Sequence, residues 1–242
     1  MADRVGQAIA SSSTDAGEIG QSLPERIYHG LRGSILDGSL EPGQSLRQEE
    51  IARRFKVSRV PVREAMGRLE SDGLIVSRPR RGFAVNALRQ DEIVEIFELR
   101  VVIEEHAARI AAIARTEADI EAVEAMVLRM EAVARQAGDY SAEWARINRA
   151  FHARLVASSR RRRLSAIADT LRDSVEAYVR TEMKLTGDAR RALGEHREIL
   201  EAFRAGDATG LASLSREHIE GTARRLLDGL RRRSSSACQA RN

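Results

Sequence analysis

Three of the five histidines in this 242-residue chain occupy positions from which they could bind one metal ion together. Asn148 and His152 are four residues apart and therefore share one face of a predicted helix, and His196 and His218 lie in two later predicted helices. Neutral imidazoles bind Zn, Ni, Mn or Fe, and the amide oxygen of Asn148 could act as a weak fourth ligand. A lone histidine is more often an ordinary polar residue, so the residues alone leave both interpretations open.

Arg100 is a candidate for binding a small carboxylic acid. It interrupts an apolar helical stripe of Ile93, Phe97 and Val101, where a guanidinium could project into a cavity and hold a carboxylate through two parallel hydrogen bonds. The alternative is an exposed arginine, or one paired with Glu104, which lies four residues later on the same helix face.

A second group of residues has the chemistry for reading DNA. Ser58 is suited to cap a helix and to hydrogen-bond a phosphate, while Arg59 and Arg63 share one face of that helix. Either arginine could hydrogen-bond the O6 and N7 atoms of a guanine. Val60 and Pro61 are apolar and could contact a thymine methyl group.

A basic segment, Arg78-Pro79-Arg80-Arg81-Gly82, follows that helix. Arg80 and Arg81 could contact phosphates or the minor groove, and Gly82 would let the backbone approach DNA closely. An arginine pair taken alone is more often a solvated helix face. The ordered combination of helix, turn, arginine-bearing helix and basic wing favours the DNA interpretation.

The elements that must position these residues can be predicted from caps and apolar periodicity. A first helix begins at Ser22-Leu23-Pro24 and ends at Asp37-Gly38. Two shorter helices are predicted at about residues 47–55 and 58–72, and two strands at 74–77 and 83–86 flank a loop at 78–82. The pattern indicates a winged helix-turn-helix.

The second half of the chain is predicted to be helical. It contains no proline after residue 79, and breaks fall near Thr116-Glu117, Gly138-Asp139, Ser158-Ser159, Gly187-Asp188 and Gly206-Asp207. About six helices in an antiparallel bundle are expected. The fold class is therefore mainly α, an N-terminal winged helix-turn-helix followed by an antiparallel all-helical bundle.

Five segments follow from this pattern. We expect a disordered leader at 1–21, a DNA-binding domain at 22–86, a linker at 87–89, a helical effector-binding and dimerisation domain at 90–232, and a tail at 233–242.

The composition limits the possible classes of protein. Hydrophobic residues make up 43% of the chain and aromatic residues only 4%, a balance that suits helix packing better than a β-sandwich. Residues 22–88 hold twelve basic and eight acidic residues, so the excess of positive charge is modest and its placement must attract DNA. The single cysteine, Cys238, excludes a disulfide or a cysteine-based zinc site within one chain. The sequence shows neither a signal peptide nor an apolar stretch of membrane-spanning length, and a cytoplasmic protein is expected.

The first half closely resembles the GntR family of bacterial winged-helix regulators over residues 24–86. The resemblance rests on Pro42-Gly43, Glu50-Ile51-Ala52, the run from Val57-Ser58-Arg59 through Val62-Arg63-Glu64-Ala65, Leu69-Glu70 and Gly73-Leu74-Ile75. The family often has an arginine where this chain has Glu49. Arg47, two residues earlier, could take over its phosphate contact.

The second half is similar to the FCD ligand-binding domain of the FadR branch of that family, over about residues 90–230. The matching residues are Glu98-Leu99-Arg100, Glu104, Phe151-His152, Glu195-His196-Arg197-Glu198-Ile199-Leu200-Glu201-Ala202, Gly206-Asp207 and His218-Ile219. In that family an aspartate and three histidines commonly hold a divalent metal at the floor of a cavity for small carboxylic acids.

This chain departs from the FCD pattern at two places. The resemblance implies that Asn148, His152, His196 and His218 bind the metal and that Arg100 binds the carboxylic acid. The first departure is Asn148, which is neutral and stands where the family has an aspartate. A run of four arginines also occupies 160–163, where the family usually has an asparagine, and such a run is more often a solvated helix start.

These observations predict a homodimeric, ligand-responsive, sequence-specific transcription regulator, and the family mode of action implies a repressor. Its expected partners are double-stranded DNA with an inverted-repeat operator and a small carboxylic acid effector, with no membrane. One alternative is an architectural DNA binder with a ligand-free bundle. The other, a metalloenzyme fused to a DNA-binding domain, is disfavoured because no second carboxylate accompanies the histidines at a spacing suited to a general base. No catalytic residue is predicted.

Overall fold

The computed structural model describes residues 22–79, 82–186 and 189–239. The chain divides between Leu88 and Arg89 into two compact units. The expected leader at 1–21 lies outside the described residues, as do Arg80 and Arg81 of the predicted wing.

The first unit is the predicted winged helix-turn-helix. Its elements are α1 (Leu23–Leu36), β1 (Ser45–Leu46), α2 (Gln48–Phe55), α3 (Arg59–Ser71), β2 (Ile75–Arg78) and β3 (Gly82–Val85). The N-terminus of α1 has a capping box, in which Ser22 accepts from the Glu25 backbone and the Glu25 side chain accepts from the Ser22 backbone. This local device explains why the start of α1 could be predicted from sequence.

The strands form an antiparallel sheet in the order β1-β3-β2. Strand β1 was not predicted, because it has only two residues and only Leu46 of them is buried. Strand β2 lies one residue later than expected and β3 one residue earlier. The two strands pair Arg78 with Gly82, so both residues are in strands and not in the predicted loop. Gly82 has φ of +78°, and a Cβ there would lie 3.3 Å from the Leu46 carbonyl oxygen, which gives a conformational reason for glycine.

An apolar core joins α1, α2 and α3 to the sheet. Its fully buried members include Leu31 of α1, Ile51 of α2, Met66 and Leu69 of α3, and Ile75 of β2. Because these residues face inward at helical spacing, the opposite face of α3 and its first turn point to solvent.

The second unit is a helical bundle, as predicted. Its helices are α4 (Gln90–Ala114), α5 (Glu117–Ala134), α6 (Ser141–Ala157), α7 (Arg162–Thr186), α8 (Ala189–Ala205) and α9 (Ala208–Gln239). Thr116 caps α5 with a capping box at one of the predicted breaks. Helix α9 continues to Gln239, so residues 233–239 of the expected tail are helical; residues 240–242 are outside the described part of the chain.

The bundle core is apolar on one side of α6 and polar on the other. Trp144, Phe151 and Leu155 of α6 pack against residues of α5, α8 and α9, including Val123, Phe203 and Leu211. Charged side chains are also buried in this unit, among them Arg100, Glu104 and Arg172. None of the described helices is both long enough and apolar enough to cross a membrane.

Candidate metal centre and candidate nucleic-acid interface

The first turn of α3 presents the side chains predicted to read DNA. Arg59, Val60 and Arg63 are exposed, and Pro61 is half-buried. Ser58 occupies the N-cap position with an extended backbone, but its side chain makes no capping hydrogen bond. The expected cap is therefore present in position only, which leaves the exposed hydroxyl available for a phosphate.

Two acidic side chains of α2 lie beside the candidate DNA contacts. Glu49 Oε1 is 3.1 Å from Arg59 Nη2, and Glu50 Oε1 is 3.7 Å from Arg47 Nη1. The side chains of both arginines are 69% exposed. Ion pairs this exposed contribute little stability, so either arginine can exchange its carboxylate for a phosphate or a base at small cost.

Two contacts fix α3 against the rest of the first unit. The Tyr28 hydroxyl of α1 donates to Asp72 Oδ2 at 2.5 Å, and the Arg68 guanidinium lies 4.1 Å from the Tyr28 ring centroid. Burial and the hydrogen bond to Asp72 raise the pKa of Tyr28 to about 12. The turn before α3 contains Lys56 in the left-handed region, with φ of 53°.

The wing is described only in part. Arg78 is exposed at the end of β2, and Gly82 begins β3. The roles predicted for Arg80 and Arg81 fall on residues that the structure does not describe. The assignment of DNA contacts to individual residues therefore stays a prediction.

The second unit brings together the three predicted metal-binding histidines. His152 of α6, His196 of α8 and His218 of α9 are buried, and one ring nitrogen from each lies within 4.8 Å of the others. They are separated by 44 and 22 positions in the sequence, so only the packing of three helices gathers them. A cluster of this kind could hold a divalent metal ion.

Hydrogen bonds orient two of the imidazoles toward a common point. His196 Nδ1 lies 2.6 Å from the Ala192 carbonyl oxygen, which can only accept, so Nδ1 carries the proton and Nε2 carries the lone pair. His218 Nδ1 lies 2.7 Å from Glu195 Oε2, a carboxylate oxygen that accepts, so the Nε2 atom of His218 also carries the lone pair. Metal-binding histidines commonly donate their other ring nitrogen to a carbonyl or carboxylate in this manner.

Two ring nitrogens at the cluster are buried without a partner. The Nε2 atoms of His152 and His196 make no hydrogen bond within the described structure. Burial, reinforced by the neighbouring His218, lowers the pKa of His196 to about 3 and shifts the pKa of His152 well below its usual value. Both imidazoles are therefore neutral near pH 7, which is the form that binds a metal. The donor set fits a divalent metal ion.

Asn148 lines the same cavity one helical turn before His152. Because its amide is neutral, the residues at the cluster supply no negative charge directly to a metal. Glu195 supplies a negative charge next to the cluster, where it hydrogen-bonds His218. Burial raises the pKa of Glu195, but the hydrogen bond to His218 and the nearby Arg225 outweigh burial and lower this pKa to about 2.

Arg100 lines the cavity and is also paired with Glu104, as the alternative interpretation predicted. Its Nε atom lies 2.9 Å from Glu104 Oε1, while Nη1 of Arg172 lies 3.0 Å from Glu104 Oε2. Burial raises the pKa of Glu104, but the two arginines outweigh it and lower the pKa below its usual value. One buried carboxylate is therefore shared by two arginines, and Arg100 still faces the cavity.

Sequence reasoning missed a further set of charged groups in the cavity wall. Three helices contribute them: Arg149, Arg172, Glu176, Glu182 and Arg225. In the sequence they are typical solvated helix charges. For Arg172 and Glu176, the signal was that they share one face of α7 with the apolar Val179 and Met183. No comparable spacing marks Arg149, Glu182 or Arg225.

The cavity is partly open to solvent, and the volume inside it is about 30 Å³. A cavity needs about 10–15 Å³ by this measure to hold one water molecule, so the space suits a metal ion with one or two waters. The arginine run lies apart from the cavity lining; Arg160 pairs with Asp119, and 161–163 are exposed at the start of α7.

Two family profiles match the chain. The profile of the bacterial regulatory proteins of the gntR family matches residues 23–85, and that of the FCD domain matches residues 95–221. FCD domains are associated with metal binding, and GntR regulators bind DNA.

Curated relatives with similar sequences are transcriptional regulators. An uncharacterized HTH-type transcriptional regulator of Bacillus subtilis, YdhC, is 32% identical over 178 residues, which is 73% of this chain and 78% of the relative. An uncharacterized HTH-type transcriptional regulator of Mycobacterium tuberculosis is 30% identical over 238 residues, which is 88% of this chain and 93% of the relative. The solved structure of McbR/YncC of E. coli has a TM-score of 0.77 at 21% identity, covering 86% of this chain and 98% of that chain, which shows a shared fold.

Proposed function

Because the chain belongs to the GntR family of bacterial transcription regulators and carries an FCD domain, we propose that it is a repressor released from its operator by a small carboxylic acid. The observation that carries this proposal is the histidine cluster with two buried, unpartnered Nε2 atoms. His152, His196 and His218 would hold a divalent ion, with Asn148 as a weak fourth ligand. The ion would supply a Lewis acid for an effector carboxylate.

Arg100 supports the choice of an acid as effector. Its side chain is buried in the cavity wall and binds Glu104 through Nε alone within the described structure, while Arg172 has a second partner in Asp169. The remaining guanidinium N–H groups of Arg100 can therefore bind an incoming carboxylate.

The small cavity suggests how binding would be transmitted. We expect an acid that reaches the histidine cluster to displace wall residues of α4, α6, α7, α8 and α9, because the volume there is only about 30 Å³. A ligand that binds only the widened arrangement stabilises it over the closed one, which is the differential affinity that an allosteric regulator requires.

On the DNA side, the exposed first turn of α3 would enter the major groove. Arg59, Arg63, Val60 and Pro61 would face base edges, and Ser58, Arg47 and the wing residues Arg80, Arg81 and Gly82 would contact the backbone. Two subunits related by a two-fold axis would then read an inverted repeat.

The outer face of α4 supports a homodimer. Leu99, Val102 and Ile113 are exposed on this face, with Val102 66% exposed. If two copies of α4 pack antiparallel about Val102, Glu95 of one copy lies opposite Arg109 of the other, so the face is complementary to itself in charge. Val102→Glu is expected to give a monomer by light scattering, while Leu128→Glu on α5 is not; a dimeric Val102→Glu protein would exclude this face.

A specific observation also favours a second function, an architectural DNA binder with a ligand-free bundle. The cavity is small, and Arg100, Arg149, Arg172 and Arg225 are all paired with carboxylates. A bundle closed in this way could act only as a dimerisation platform.

One experiment separates the two. Protein purified without chelators is analysed for metal, and its affinity for a DNA site selected from a random pool is measured with and without small carboxylic acids. About one divalent ion per chain and an acid that weakens DNA binding by roughly tenfold support the repressor. Operator binding that no acid alters would overturn the repressor and support the architectural binder.

A further inference from the structure

Glu176 of α7 is a buried carboxyl group that faces the cavity. It is 4% exposed and lines the cavity together with Asn148 and Arg149 of α6. Within residues 22–79, 82–186 and 189–239, its carboxyl group has neither a hydrogen bond nor an ion pair. Burying a polar group without a partner is costly, which makes this side chain an open position for a ligand.

The other buried acids in the cavity wall or beside it, Glu182, Glu104 and Asp173, all have cationic partners. Glu104 is shared by Arg100 and Arg172, and Glu182 Oε1 accepts from Arg225 Nε at 2.9 Å. Asp173, three residues before Glu176, accepts from Arg149 Nε at 2.6 Å. No arginine of the wall is therefore left to pair with Glu176 in the described structure.

Glu176 also occupies an intermediate place along the cavity. On one face of α7, Arg172 precedes it by one turn, whereas Val179 and Met183 follow it. It therefore lies between the charged part of the cavity, where Arg172 and Arg100 meet at Glu104, and an apolar part. Burial raises the pKa of Glu176 to about 8, and the nearby Arg149 only partly opposes this, which agrees with a carboxyl group that lacks a cation.

We propose that Glu176 recognises an amino group of the effector, so that the effector is a small amino-carboxylic acid and not a simple carboxylic acid. This inference rests on the proposed function, in which the effector carboxylate binds near Arg100 and the histidine cluster. An ammonium group supplies the missing positive charge and up to three donors. Charge-assisted hydrogen bonds of this type are about twice as strong as neutral ones.

The test compares ligands that differ only at the amino group. Alanine with lactate, serine with glycerate, aspartate with malate, and glutamate with 2-hydroxyglutarate are matched pairs in which a hydroxyl replaces the ammonium. Binding to the full-length, metal-containing protein is measured by calorimetry and thermal shift. We expect at least one amino acid to bind about tenfold more tightly than its hydroxy partner.

Glu176→Gln serves as the variant, and Glu121→Gln on the exposed face of α5 as its control. The variant should remove the preference for the amino acid while leaving the affinity for the hydroxy acid within about twofold. A hydroxy acid that binds as well as or better than its amino partner in the wild type overturns the role of Glu176 and leaves the acid-responsive function standing. If Glu176→Gln still prefers the amino acid over its hydroxy partner, the role of Glu176 is likewise overturned and the acid-responsive function stands. If no member of any pair binds, both the inference and the acid-binding function of this cavity fail.

Discussion

The two units of this protein place their functional charges in opposite settings. In the first unit, the Arg59 side chain is 69% exposed and its partner Glu49 is 60% exposed. In the second unit, the side chains of Arg100 and Glu104 are 6% and 3% exposed. An exposed pair is screened by water and can be exchanged, whereas a buried pair that loses one member leaves a costly unpaired charge.

Because of this difference, we expect mutations to affect function and stability separately in the first unit and together in the second unit. A change at the first turn of α3 should alter DNA affinity with little effect on folding. A change in the cavity wall should alter folding, metal binding and effector binding together, because the same groups hold the helices in place. Four predictions test this contrast.

The largest effect is expected for Glu104→Ala. The change leaves Arg100 and Arg172 buried without their shared carboxylate, and we expect a loss of about 3–5 kcal/mol in the free energy of unfolding. Urea denaturation measures it. Glu105→Ala is the control, because the neighbouring Glu105 pairs only with the exposed Arg109 and Arg216 in the described structure and should cost less than about 1 kcal/mol. Equal losses for both variants would contradict a buried, coupled network.

His196→Ala should lower the affinity for a divalent metal by roughly 100-fold or more, because it removes a ligand whose orientation Ala192 fixes. Zinc titration against a competing chelator measures the change. His106→Ala, on an exposed position of α4, is the matched control. If His196→Ala retains the metal of the wild-type protein, the histidine cluster is not the metal site.

Arg59→Ala should weaken binding to the selected DNA site by about 1–3 kcal/mol if Arg59 reads a guanine. Its melting temperature should stay close to that of the wild type, since the pair with Glu49 is exposed. Fluorescence anisotropy on the selected site and on random DNA measures both affinities. An equal loss on both DNAs would show that Arg59 contacts only phosphate.

The pH dependence of stability should depend on Glu176. Burial raises its pKa to about 8 in the folded state, above its usual value of 4.5. The folded protein thus holds this proton more tightly, so the contribution is present below pH 4.5 and is lost as the pH rises toward 8. Within that window, metal-free wild type should lose about 1.4 kcal/mol per pH unit relative to Glu176→Gln. Parallel stability curves for the two proteins would show that Glu176 ionises normally.

The contrast between the units also explains what could be predicted from sequence. The helix starts at Leu23 and Glu117 follow local caps, and the first turn of α3 is a contiguous motif. Strand β1 was missed because two residues carry too little pattern to mark a strand. The pairing of Arg100 with Glu104 was visible as a spacing of four on one helix.

The cavity wall was much harder to predict. Glu176 and Arg172 have the sequence character of solvated helix residues, and the packing of α7 against α4, α6 and α9 buries them. The histidine cluster was assembled from the sequence chiefly through its resemblance to a known domain, because nothing in the local pattern links His152, His196 and His218.

Trp144 gives the cavity a built-in optical probe. It is the only tryptophan in the chain, lines the cavity, and has its ring centroid 6.4 Å from that of His196 in an edge-on arrangement. Its fluorescence therefore arises at the candidate site, with no second indole in the DNA-binding unit to mask it. Intrinsic emission should thus follow metal loading and ligand entry in the unlabelled protein, even while it is bound to DNA.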